Sequence, residues 1–488
     1  MTPIPRRHFP RYSFMILSVL LATTALTACT TLPQSAPFAA EPSQSSKVNP
    51  IETTPDLATS RQAWWAGFGD PQLQALMTEA FNNSPSLAIA EARLNQAQAM
   101  TAQYHAGGQP QLAFDTDLHT IKQSYNNGFP RAFLPQGYND QGAVTLNFGW
   151  ELDFWGRNRA AIAAASSEAQ ATAADAAQAQ LVLSTAIAST YIDLDRQYRE
   201  RDLAERAVAI RQDSANLVQQ KLSNGVSNQA ELEQAQAGVY AAQADLTALD
   251  EQVTLTQHRL ATLVGAAPDR ATAITRPQLD PATTAFAKVP DQINLDLIGR
   301  RPDIIAARWR AEAASAHIKQ AHTAFYPNIN LRGLIGFEAL GFDNVFKNGS
   351  DFGQAGPALS LPLFDGGTLK ANLKSAEAGH AEAIASYNQD VLVALQDVAD
   401  TLTSQQSLAK QLGQSQQALD ADEEAYRLTK LRYQGGLTDY TTLLVSEQNL
   451  IGQRRIVTGL QSRALTLDVA LVKALGGDYG ADQNLASR

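Results

Sequence analysis

From Arg157 to Asn224 the chain contains neither glycine nor proline. Nothing in that run stops a helix, and strong helix formers (Ala, Gln, Leu, Arg, Glu) dominate it. At the α-helical rise it specifies a helix roughly 100 Å long, whereas helices of globular domains average about 11–12 residues. Asn224-Gly225 supplies a helix C-terminus, and a second helical pattern starts after Ser227. The return leg carries Leu232, Val239, Leu246, Val253 and Leu260 at heptad spacing, with Ala235, Ala242, Leu249 and Leu263 close behind. Such a repeat sets helices side by side with knobs-into-holes packing. The centre of the chain is a very long antiparallel helical hairpin, which by itself suits a structural stalk as well as anything else.

The 488 residues give room for two or three ordinary domains. No internal segment offers the roughly 20 consecutive apolar residues of a spanning helix. A net charge of −10 argues against nucleic acid as a partner, and a single cysteine excludes an internal disulfide framework. Arg6, Arg7 and Arg11 form a basic n-region and Phe14 to Leu26 an apolar h-region, so residues 1–28 read as a signal peptide. Leu26-Thr27-Ala28-Cys29 resembles the lipobox of bacterial lipoproteins, which implies a lipid on Cys29 as the first mature residue. In such proteins an aspartate after the cysteine retains the chain at the inner membrane; Thr30 stands here, favouring the outer membrane. The alternative is an ordinary signal peptide with a chance cysteine.

Residues 29–63, rich in Ser, Pro, Thr and Ala, read as a tether, and Trp64 opens the folded part. A helix runs from about Pro71 to about Tyr104, re-started at Ser84-Pro85. After Pro110 the apolar period changes to two. Leu112, Phe114, Thr116 and Leu118 alternate with Ala113, Asp115, Asp117 and His119. Beyond a polar loop, Val144, Leu146, Phe148, Trp150 and Leu152 alternate with Thr145, Asn147, Gly149, Glu151 and Asp153. Ten-residue strands with one apolar and one polar face are the pattern of a transmembrane barrel, although an isolated pair also suits a soluble hairpin.

The pattern then starts again. The interval from Pro85 to Pro110 recurs from Pro302 to Pro327. Leu443, Leu450, Val457 and Leu471 stand as far from Gly436 as Leu232, Val239, Leu246 and Leu260 stand from Gly225. Ile329, Leu331, Ile335 and Phe337, then Leu359, Leu361 and Leu363, mark two more strands, and Leu412, Leu419, Tyr426 and Tyr433 a second long helix. The chain divides into a first repeat at 64–275 (β-hairpin 111–153, helical hairpin 157–265) and a linker at 276–290. A second repeat at 291–480 (β-hairpin 328–364, helical hairpin 367–476) and a tail at 481–488 complete it. Two hairpins give four strands, and the smallest closed membrane barrels have about eight, so one chain cannot close a barrel in lipid.

In order, Trp150-Glu151-Leu152-Asp153-Phe154-Trp155-Gly156-Arg157, Arg300-Arg301-Pro302-Asp303-Ile304, Ala324-Phe325-Tyr326-Pro327, Leu361-Pro362-Leu363-Phe364-Asp365-Gly366-Gly367 and Lys473-Ala474-Leu475-Gly476-Gly477 make the sequence resemble one family. It is the outer membrane factors, the TolC-like channels of tripartite efflux pumps, in their lipoprotein, NodT-type branch. The resemblance covers about Trp64 to Gly477. It implies a mainly α protein with membrane β structure: a homotrimer with a twelve-stranded outer-membrane barrel continued by a periplasmic α-barrel of long helical hairpins. It implies a passive exit duct for small molecules or drugs, anchored in outer-membrane lipid. Its partners would be a periplasmic adaptor and an inner-membrane transporter of the resistance-nodulation-division type.

By the same resemblance the two hairpin turns dock the adaptor. The matching positions are Lys221, Asn224, Gly225, Val226 and Ser227, then Arg432, Gly436, Leu437 and Thr438. A basic residue four positions before each glycine could pair with an adaptor carbonyl or carboxylate, or simply complement a helix C-terminus. Family channels often carry an acidic ring after the second turn, where this chain has Val445; Asp439 and Glu447 are the remaining acidic candidates. Asp115, Asp117, Glu151 and Asp153 are placed as lumen charges of the barrel, favouring cations. Arg301-Pro302-Asp303 reads as a helix start with bracing arginines.

Nothing points to an enzyme or to a cofactor beyond the Cys29 lipid: no phosphate loop, metal-ligand cluster or nucleophile motif is present. The competing functions are a type I protein secretion channel and a periplasmic coiled-coil lipoprotein without a pore.

Overall fold

The computed structural model describes residues 64–126, 128–279 and 299–477. Cys29, the signal segment, the tether, most of the linker and the tail lie outside the described residues.

Asp70 opens the first helix, α1 (Pro71–Asn83), by accepting the backbone N–H of Gln72 at 2.8 Å. α2 (Pro85–Gly107) follows directly. β1 (Gln111–Ile121) and β2 (Asn139–Leu152) form the first hairpin, and α3 (Arg157–Ser223) and α4 (Gln229–Leu263) run for 67 and 35 residues. The second repeat has α5 (Pro302–Thr323), β3 (Asn328–Leu340), β4 (Asp351–Ser360), α6 (Thr368–Gln434) and α7 (Tyr440–Ala474). Here too the long helix has 67 residues and the return helix 35.

Both long helices start in the same way. Asp153 accepts the N–H groups of Asn158 and Arg159 at 3.1 and 2.9 Å, and Asp365 those of Gly367 and Leu369 at 2.9 and 2.6 Å. Each aspartate therefore satisfies donors that a helix start leaves without partners. Both long helices also end alike. Gly225 and Gly436 take φ of 71° and 76°, and the next residue's N–H returns to the carbonyl of Lys221 or Arg432 at 2.8 and 2.9 Å. That i→i−5 bond needs a left-handed residue, which glycine supplies without strain.

The strands make one antiparallel sheet in the order β1-β2-β3-β4. Phe114 lies opposite Leu146, and Leu146 opposite Ile335, so the apolar residues share one face. On that face Leu112, Phe114, Leu118, Ile335 and Leu359 are 61% to 69% exposed. The last strand departs from expectation. β4 ends at Ser360, so Leu361 and Leu363 lie beyond it, and Leu363 is 89% exposed. Its body has little alternation of its own, with Gly353, Ala355 and Pro357 on the apolar face, and it is a strand because β3 pairs with it. Glu338 N–H donates to the Ser350 carbonyl, so by antiparallel alternation the missing donor of Pro357 faces the open edge, where proline is tolerated.

α3 packs against α2, α5, α4 and α7, while α6 packs against α5 and α7. Next to the sheet the helices lie in the order α2, α3, α5, α6; toward the hairpin turns the order is α4, α3, α7, α6. The chain is thus a piece of wall with open edges at β1 and β4. Where α2 gives way to α4, Leu73, Leu76, Met77, Tyr191, Leu194, Leu260, Ile274 and Leu279 close a core. Of the expected linker at 276–290, residues 276–279 are described, and there Leu279 joins this core. Gln278 N–H donates to Asp70 at 2.9 Å, and just before that stretch Thr275 N–H donates to Gln72 at 2.9 Å. The buried Tyr191 hydroxyl donates to Asp70 at 2.8 Å, joining this segment to the middle of α3.

Candidate functional site

The ends of the two helical hairpins meet. Tyr433, Tyr440, Leu443, Val218, Leu232, Ala235 and Val239 form a core that draws on α3, α4, α6 and α7. Beyond it the turns are open: Val226 is 69% and Leu437 72% exposed, and Asn224, Gly225, Arg432 and Gly436 are exposed with them. Ser227 and Thr438 are half-buried. Ser227 donates to Glu231 at 2.5 Å at the start of α4.

Lys221 differs from the expectation of a side chain held out toward a partner. It is half-buried, donates to the Tyr433 carbonyl, and holds its ammonium 3.8 Å from the centre of the Tyr433 ring. Cation–π attraction and a charge-assisted hydrogen bond thus tie the first turn to the second. Arg432, its counterpart, stays exposed.

The two acidic candidates for a ring also resolve differently. Asp439 is the N-cap of α7, accepting the N–H and hydroxyl of Thr442 at 2.8 and 2.7 Å; those bonds hold its carboxyl below the ordinary range. Glu447 is 1% exposed, so it does not stand free in a passage. It receives Arg211 Nε at 3.3 Å and the Ser214 hydroxyl at 3.3 Å, both from α3. Burial raises its carboxyl, and the Arg211 charge works against that without overcoming it. Position 445, where an acid was expected, is a half-exposed valine. Arg211 and Ser214 carry no local sequence signal; only the packing of α3 on α7 reveals them.

On the sheet, Asp115, Asp117 and Glu151 lie on the polar face. Asp115 accepts from Asn147 at 2.7 Å, Asp117 pairs with His119 at 3.0 Å, and Glu151 faces Arg157 at 3.7 Å. Asp153 is not a strand residue at all. It lies past the end of β2 and caps α3; burial works to raise its carboxyl, and the amides of Arg159 and Asn158 outweigh that and lower it. Arg301, 7% exposed, clamps Asp303 at 3.1 and 2.7 Å, Asp397 of α6 at 3.1 Å and the Ala474 carbonyl at 3.3 Å. It braces the start of α5 against the end of α7.

The geometry is that of an incomplete wall: a sheet with an exposed apolar face, helices of about 100 Å, and two apolar turns at the far end. Comparison with known proteins finds the same arrangement. A family model described as outer membrane efflux protein matches residues 76–266 and 296–477. The multidrug resistance outer membrane protein MdtP of Shigella flexneri is 30% identical over 482 residues, 96% of this chain and 97% of that one. The pyoverdine export outer membrane protein OpmQ of Pseudomonas putida is 30% identical over 475 residues, 96% and 98% of the two chains. Among solved structures, the outer membrane protein VceC of Vibrio cholerae is 40% identical with a TM-score of 0.78, covering 85% of this chain and 98% of that one. The outer membrane channel MtrE of Neisseria gonorrhoeae, solved in its open state, is 27% identical with a TM-score of 0.68, covering 84% and 89%.

Proposed function

The chain belongs to the outer membrane efflux protein family and is an outer-membrane efflux channel; we propose that it is the passive exit duct of a pump whose cargo is small molecules. Channels of this family are trimers that work with an adaptor and an inner-membrane pump. The observation that carries the reading is the wall itself. Four strands with an exposed apolar face cannot stand alone in lipid, and three copies supply twelve. Small-molecule cargo, rather than a secreted protein, is supported by relatives named for multidrug resistance and pyoverdine export.

Our reading of the turns is that Val226 and Leu437 meet a periplasmic adaptor, with a resistance-nodulation-division transporter behind it. Their exposure in a fold that buries most of its neighbouring apolar residues supports this. We read Cys29 as lipidated, supported by the lipobox; labelled palmitate should enter the wild type and not Cys29→Ser. The function is tested in cells stripped of their own efflux channels and supplied with this chain, an adaptor and a pump. Dye efflux should appear with the wild type and vanish with Val226→Asp plus Leu437→Asp, the heat-resistant trimer being retained. Undiminished efflux by that double variant would remove the turns from the docking surface.

A further inference from the structure

We propose that Arg332 is an anion-binding site on the channel-facing wall, a station for cargo that carries a carboxylate. The inference rests on the duct reading, because only in a closed barrel does the polar face of β1 to β4 line a passage. Within those four strands Arg332 is the one lysine or arginine. It shares the polar face with Asp115, Asp117, Glu151 and Glu338, and each of these acids already has a partner. Asn147 serves Asp115, His119 serves Asp117, Arg157 serves Glu151, and Gln141 donates to Glu338 at 2.6 Å. Arg332 has no ion pair among the described residues, although Glu151 lies only one step diagonal to it on β2.

Its surroundings are shaped to leave it accessible. The residues directly opposite Arg332 are Gly149 on β2 and Gly356 on β4, and a Cβ added at either would meet nothing within 4 Å. Side chains on both neighbours would fill the flanks of the guanidinium; glycines leave a hollow of about 600 Å³ there, bordered also by Asn147 and Gln354. A planar fork of donors beside open space on an otherwise acidic wall suits a carboxylate, which it can engage through two parallel N–H···O bonds. Binding is weak because the site is wet, and a conducting path requires sites that ligands also leave. A trimer carries three such stations at one level.

The test uses detergent-solubilised trimers at pH 7 with nicotinate as the probe, read by saturation-transfer NMR, and reversal potentials in a potassium chloride gradient across planar bilayers. Nicotinate should bind the wild type, about tenfold more weakly to Arg332→Gln, and with intermediate strength to Arg332→Lys, which keeps the charge and loses the fork. The reversal potential of Arg332→Gln should shift toward potassium selectivity. Equal nicotinate binding by wild type and Arg332→Gln in a conducting trimer overturns the site and leaves the duct standing. Binding through Arg332 in a trimer that passes no current supports the site and counts against the duct.

Discussion

Lys221 reaches from the end of one helical hairpin to the end of the other, its ammonium over the Tyr433 ring and its proton on the Tyr433 carbonyl. The contact lies at the turn end of the two helical hairpins and holds them together there. Replacing Lys221 by Met keeps the aliphatic stem and removes both polar attractions, a loss of about 1 kcal/mol at a partly exposed site. Single-channel recording should show a larger or more frequently open conductance. A conductance equal to wild type would mean the tie does not restrain the tip.

Glu447 and Arg211 form a second tie, buried deeper. Arg211→Ala leaves a carboxylate enclosed without its partner, a loss of about 3–5 kcal/mol, and should sharply lower the temperature at which the trimer dissociates. Glu447→Gln keeps the shape and removes the charge, and should cost much less.

The same pair predicts a pH response. Burial raises the Glu447 carboxyl, so its contribution favours the fold at low pH and is lost as pH rises from the unfolded value, roughly 4.3, through the folded one. Parting of the hairpins would return the carboxyl toward its ordinary range, so acid favours the packed arrangement. Wild-type current should fall as the bath is acidified through the folded value, whereas Glu447→Gln should already carry the acid-form current and respond little. Identical pH profiles would exclude Glu447 as the titrating group.

The helix starts respond with the opposite sign. Asp153, Asp365 and Asp439 have carboxyls held low by the amides and hydroxyl they receive. Their stabilisation is fully present above the unfolded aspartate value, roughly 4, and is lost as pH falls through the lower folded values. Asp153→Ala, which removes the accepting oxygens, should cost about 1 kcal/mol. In the triple Asn variant the acid-induced fall in trimer melting temperature should flatten; an unchanged slope would assign it to other carboxylates.

Gly265 sits where α4 ends against the junction of α1 and α2, and a Cβ there would come within 2.4 Å of the Asn83 carbonyl oxygen at a φ of +78°. Gly265→Ala should therefore destabilise the trimer severely. Gly225→Ala, at a similar φ but in open space, should cost only about 1 kcal/mol. Melting of the two variants side by side separates steric overlap from backbone preference.

Much of this architecture is written locally. Glycine and proline mark where helices end, heptads from Leu232 and Leu443 mark which face is covered, and period-two runs mark β1, β2 and β3. Each signal acts within one turn or one strand, so the chain reveals it directly. β4 is the exception because Gly353, Ala355 and Pro357 have no pattern of their own and take a strand conformation from their pairing with β3.

The duplicated plan is legible in the residues alone: two long helical hairpins, two β-hairpins, and a sheet too small to close alone. Tertiary structure alone decided how the polar residues are used. Lys221 is committed to Tyr433, Glu447 to Arg211, and Asp70 to Tyr191 and Gln278. Several of these partners are more than a hundred positions apart. A charge reads the same in sequence whether it faces water or a distant partner, and only burial against that partner separates the two.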